Sequence, residues 1–132
     1  MIIKSFELNK IKIKDGFYLL YGENQGHKEE IIKNKFKINH KESTYSYDES
    51  EILINKDIFF NNILSGSFFE NEKLVIINRA TDKILSIAEE LIEKKIEDLT
   101  VVLNANILEK RSTLRSFFEK NKVTTCVAFY ED

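Results

Sequence analysis

Apolar positions along this chain fall in two rhythms. Short continuous apolar runs recur at residues 17–21 (FYLLY), 73–78 (KLVIIN), 99–103 (LTVVL) and 123–129 (VTTCVAF). Runs of this length, rich in aromatic and β-branched residues, predict strands buried on both faces. Residues 44–47 alternate Tyr45 and Tyr47 and predict a fifth strand. Between these runs the spacing becomes helical. Residues 25–36 place Ile31, Ile32 and Phe36 on one side, with Glu29 and Glu30 early and lysines late, as the helix dipole favours. Residues 49–65 predict a helical stretch broken near 55–57, with Asp57 as N-cap and Gly66 just past the end. Residues 81–95 carry a Thr81/Asp82 cap signal before Ile84, Leu85, Ala88, Leu91 and Ile92. Residues 108–121 predict an amphipathic helix with Leu114, Phe117 and Phe118 on its apolar side. Five strands alternating with four helices predict right-handed crossovers and an α/β fold, a five-stranded parallel sheet sandwiched by helices. Residues 1–14 read as an edge strand or a short helix, and the pattern does not choose between them.

Composition narrows the class. At 132 residues the chain fits one domain, 1–132. Hydrophobic residues at 42% and charged residues at 32% exclude a disordered chain. No apolar run approaches the ~20 residues of a membrane span, and the first residues lack a signal-peptide layout, so the expectation is a cytoplasmic protein with no membrane partner. A net charge of −2 argues against nucleic acid as the main partner. The single cysteine, Cys126, excludes an intrachain disulfide and predicts a buried strand residue. The chain stops at Tyr130-Glu131-Asp132 directly after the last strand, which reads as a cut at a domain boundary.

The first place to look for chemistry is the turn after strand 17–21, since ligands of open α/β sheets bind beyond the strands' carboxyl ends. Residues 22–29 (GENQGHKE) occupy the position of a phosphate loop, G-x-x-x-x-G-K-[ST]. Gly22 and Lys28 match. His27 replaces the second glycine, and its β-carbon obstructs the approach of phosphate. Glu29 replaces the magnesium-holding hydroxyl and brings like charge. After strand 73–78, where a second acidic magnesium holder belongs, stand Asn78 and Arg79. Gly22, Gly26, His27, Lys28 and Glu29 therefore read as a degenerate phosphate loop, with no nucleotide, metal or other cofactor expected, and Gly22 and Gly26 as turn glycines. His27 and His40 have no metal-ligand spacing and read as solvated surface residues.

Two other segments stand out. In residues 63–73 (ILSGSFFENEK), Phe68 and Phe69 are adjacent, and neighbours on extended backbone point to opposite sides. One exposed phenylalanine is a candidate anchor for a partner's pocket; core packing of both is the alternative. In residues 108–121, Lys110, Arg111 and Arg115 are candidates for contact with DNA or an acidic partner, Arg111 and Arg115 as i, i+4 neighbours on one face; a solvated basic face is the alternative.

Three segments together, residues 17–26 (FYLLYGENQG), 67–79 (SFFENEKLVIINR) and 106–115 (NILEKRSTLR), resemble the N-terminal domain of the delta-subunit family of bacterial DNA polymerase III clamp loaders. That resemblance implies an AAA+/RecA-like core that has lost its nucleotide chemistry and is not an enzyme by itself. It implies a domain that binds the β sliding clamp and helps open it for loading onto DNA in replication. Gly66, Ser67, Phe68 and Phe69 would form the clamp-binding wedge, with Leu64 beside it. It further implies gamma/tau and delta-prime loader subunits as partners, primer-template DNA through the assembled complex, and lid and collar domains that this chain lacks. A nucleotide-binding switch or ATPase on the same fold is the alternative.

Overall fold

Each strand that the apolar runs predict is found in the computed structural model, which describes residues 1–40, 43–66 and 72–130, and a sixth strand joins them. The strands are β1 (Ile2–Lys4), β2 (Gly16–Tyr21), β3 (Thr44–Asp48), β4 (Lys73–Ala80), β5 (Leu99–Ala105) and β6 (Thr124–Ala128). They form one sheet in the order β1-β6-β2-β5-β4-β3, parallel throughout. The sheet thus has six strands, not five. Residues 1–14 supply both structures left open above: β1 pairs with β6, and α1 (Ser5–Leu8) follows at once. Three residues are too few for a period-two pattern to show.

Alternation along the central strands divides the core in two. Leu19 and Tyr21 of β2, Val75 and Ile77 of β4, and Val101 and Leu103 of β5 face one side. There they meet α3 (Glu49–Ile54), α4 (Lys56–Gly66), α5 (Leu85–Glu93) and α6 (Thr113–Lys120) through Ile52, Phe59, Ile63, Ile87, Leu91, Leu114 and Phe118. Tyr18, Leu20, Leu74, Ile76 and Val102 face the other side, against Leu8 of α1 and Ile31 of α2 (Gln25–Ile31). Cys126 is buried in β6, as its apolar run predicts.

Local chemistry sets the helix boundaries and corrects several expectations. The break at Asn55 is real, but Asn55 makes the cap: its Oδ1 accepts from Ile58 N at 3.2 Å, while Asp57 lies inside the first turn. Gly66 lies within α4 rather than past its end. The helix expected over 108–121 begins only at Thr113, where Ser112 Oγ accepts from Arg115 N at 3.1 Å. Beyond α2 the chain continues as a π turn (Ile32–Phe36) and a 3-10 turn (Lys37–Asn39).

Candidate functional site

β2 and β5 are neighbours whose connections leave on opposite faces of the sheet. The chain after β2 crosses through α2 toward β3, and the chain after β5 crosses through α6 toward β6. This is the topological switch point, where a crevice opens beyond the strand ends. The turn from Gly22 to Lys28 sits at its head. Gly22 holds φ +118°, and a β-carbon there would lie 2.2 Å from the Phe129 carbonyl oxygen. Glycine is required at 22. At Gly26 the nearest atom to an added β-carbon is 4.0 Å away, so Gly26 meets no such demand.

Asn24 caps α2, its Oδ1 accepting from His27 N at 3.1 Å. Gly22 N donates to Asn106 O, Asn24 N to Phe129 O, Gln25 N to Glu23 O and Lys28 N to Asn24 O, at 2.9 to 3.2 Å. These N–H groups are thereby directed into the protein, where an anion cradle would turn them outward. The Lys28 side chain does the same. Its ammonium is fully buried and donates to Gly22 O at 2.7 Å and Ala105 O at 2.6 Å, tying the ends of β2 and β5. Burial pulls its pKa below the ordinary lysine value, with the charge of Glu29 opposing. Glu29 is exposed and held by Gln25 Nε2 at 3.2 Å. The His27 ring packs edge-on against Phe129 at 4.9 Å and is half-buried, not fully solvated.

Beside this turn lies a cleft of about 740 Å³. Asn78 and Asn104, at the carboxyl ends of β4 and β5, lie at its base with Asn106. Asn104 is 7% exposed, and its Nδ2 donates to Asn78 Oδ1 at 3.1 Å. Glu23, Gln25 and Glu29 line the cleft from the turn, Lys33 and Lys37 from the π and 3-10 turns, and Arg79 from the end of β4. Arg79, at φ 56°, is ion-paired with Asp48. Asn104, Asn106, Lys33 and Lys37 were not singled out from the sequence, although Asn-Ala-Asn directly after the run 99–103 carries the signal. His40 corrects an expectation as well. It is buried; Nδ1 donates to Phe36 O at 2.8 Å, and Nε2 lies 3.9 Å from the Glu72 carboxylate.

Of the other sequence candidates, Leu64, Lys110, Arg111 and Arg115 do not line this cleft. Leu64 is 41% exposed in α4, which also holds Gly66. Ser67, Phe68 and Phe69 fall outside the described residues. Arg111 and Arg115 do not share a helix face. Arg111 is in the loop before α6 and pairs with Glu109 at 2.8 Å. Arg115 points inward, donating to Glu119 Oε2 at 3.2 Å and Leu108 O at 2.9 Å, over the Tyr21 ring at 4.9 Å. Lys110 stays exposed in the same loop as Arg111. Among the described residues no group of three His, Cys, Asp or Glu side chains could hold a metal, and no helix is long and apolar enough to cross a membrane.

Neither a protein-family model nor a curated protein sequence matches this chain. A solved structure does: the Bacillus subtilis DNA clamp loader delta protein YqeN, with a TM-score of 0.64 at 18% sequence identity. The alignment covers 97% of this chain and 42% of that protein. At this identity the likeness is one of fold, a delta-like α/β core. The chain spans under half the length of the protein it matches.

Proposed function

We propose that this chain is a non-catalytic clamp-loader domain that binds a sliding clamp. The observation that carries the reading is the fold likeness, over nearly the whole chain, to a protein named a clamp loader delta protein. The AAA+-like assignment of the core belongs to this proposal, as do loader subunits and primer-template DNA as further partners. Chemistry at the switch point supports the non-catalytic part. A nucleotide switch needs its lysine on phosphate, whereas Lys28 is engaged by two backbone carbonyls. The clamp contact is assigned to Leu64, Gly66, Ser67, Phe68 and Phe69. Binding there would favour a clamp conformation less compatible with a closed ring, a population shift limited by differential affinity.

Calorimetric titration with the cognate β clamp tests this. The parent chain is expected to bind. Phe68→Ala or Phe69→Ala, each shown by melting to be folded, is expected to lose at least ~2 kcal/mol, about 30-fold in affinity. No binding by the parent would overturn the reading.

A further inference from the structure

With Lys28 closing the turn, the open part of the switch point is the carboxamide-floored cleft beside it, and we propose that this cleft binds a small phosphomonoester. Four observations bear on it. The Asn104 side chain is nine-tenths buried at the cleft's base, and its one side-chain hydrogen bond among the described residues, to Asn78, leaves its Oδ1 as an unused acceptor. The same bond leaves Asn78 Nδ2 as an unused donor. Neither unused group is sealed from solvent, so both are open to a polar ligand entering the cleft.

Second, Lys33 and Lys37 line the cleft and make no ion pair or side-chain hydrogen bond among the described residues, unlike Lys28 and Lys35, which are both engaged by backbone carbonyls. Third, these two lysines are carried by the π turn and the 3-10 turn that replace regular helix after Ile31. Such π turns occur frequently at functional sites. Fourth, the charges limit the ligand. Glu23 and Glu29 face the same cleft, and Arg79 is already paired with Asp48. The two lysines offer partners to a single phosphate group, while the two carboxylates in the same lining disfavour the additional charge of a triphosphate. A cleft of about 740 Å³ accepts a molecule of nucleoside monophosphate size. The anion would sit on Lys33 and Lys37, and the hydrogen-bonding body of the ligand on Asn78, Asn104 and Asn106. This placement differs from that of a phosphate loop, in which the anion lies on the 22–28 turn.

The test is NMR titration of the chain with inorganic phosphate, glycerol 3-phosphate and AMP, following the asparagine side-chain NH₂ signals. AMP or glycerol 3-phosphate at about 10 mM or less is expected to move the Asn78 and Asn104 signals saturably, in the millimolar range typical of small ligands. Both phosphomonoesters binding alike would place recognition on the phosphate; AMP alone binding would place it on the carboxamides and a nucleobase. The double variant Lys33→Ala/Lys37→Ala is expected to weaken binding at least tenfold, and Asn104→Ala to weaken binding of the organic phosphates more than that of inorganic phosphate. No saturable shift with any probe would overturn the proposal. So would shifts confined to the 22–28 backbone that persist in the double lysine variant. Clamp titration with the same variants is a separate measurement, since these residues are not among those assigned to the clamp.

Discussion

Two glycines in one turn show how a single residue's demand is decided by its surroundings. Sequence alone gives Gly22 and Gly26 the same role. In the folded chain Gly22 has a left-handed φ, and a β-carbon added there would press on the Phe129 backbone, which cannot yield like a flexible side-chain end. Gly22→Ala combines backbone strain with a steric clash and is expected to destabilise by at least ~3 kcal/mol or prevent folding. Gly26 lies in the first turn of α2 with open space around it. Gly26→Ala is expected to stabilise by ~0.5–1 kcal/mol, because alanine restricts the unfolded chain and favours helix. Urea denaturation of both variants checks the pair, and equal effects would contradict this account. Lys28 carries the same lesson. Its sequence position matches a phosphate-binding lysine, but its ammonium is directed to Gly22 O and Ala105 O. Nothing local in the sequence fixes that choice, since Ala105 is 77 residues away.

The helix α6 is held at its start by a residue from another element. Asp82, in the turn before α5, accepts from Ser112 Oγ at 2.5 Å and from Leu114 N at 3.1 Å. The Ser112 hydroxyl, then the Leu114 and Thr113 N–H groups, hold the Asp82 carboxyl below its ordinary pKa, and desolvation opposes them. The folded state then binds protons less readily than the unfolded chain, whose aspartates titrate near ~3.9. This stabilisation is complete above that value and is lost as pH falls through the lower folded pKa. Asp82 is largely exposed, so solvent screening limits the effect to ~1 kcal/mol or less. Urea denaturation between about pH 3 and 6 should show a smaller acid loss in Asp82→Asn than in the parent; identical profiles would exclude the cap. Such pairings mark the limit of what the sequence makes legible. The central strands could be read because β2, β4 and β5 are buried on both faces, leaving unbroken apolar runs. The helices could be read because their apolar residues recur on one side. The start of α6 was misplaced, although Ser112 is a good cap residue, because Leu108 extends the helical spacing backward. The cleft was missed because its asparagines and lysines come from elements far apart in the chain, β4, β5 and the two turns after α2, that the fold brings together.

At the scale of the molecule, the parallel sheet couples these parts, since each central strand contributes side chains to both cores. Cys126 reports on that coupling. It lies in β6 between β1 and β2, fully covered, with Leu19 of β2 as its registered partner. Burial, with a smaller contribution from the Glu119 charge, pushes its thiol up to about 12, so at neutral pH the native state offers almost no thiolate. Cys126 lines a cleft of about 530 Å³ beside β1 and α6 but is only 1% exposed, so reagent reaches its sulfur when the wall formed by α6, whose Phe118 and Leu114 belong to the same core, moves aside. Removing that cover exposes large apolar side chains, each worth ~1.5–3 kcal/mol of burial, so a partial opening confined to this edge is nearly as costly as unfolding. The labelling rate with iodoacetamide at pH 8 is accordingly expected to follow the global unfolding constant as urea is added, with the same denaturant dependence as unfolding measured by circular dichroism. A labelling rate independent of urea at low concentration would instead show that the β1–β6 edge and α6 open as a separate unit. The cleft between β2 and β5 would then sit on the more rigid part of the molecule, and the clamp and phosphomonoester titrations would have to be interpreted for the two parts separately.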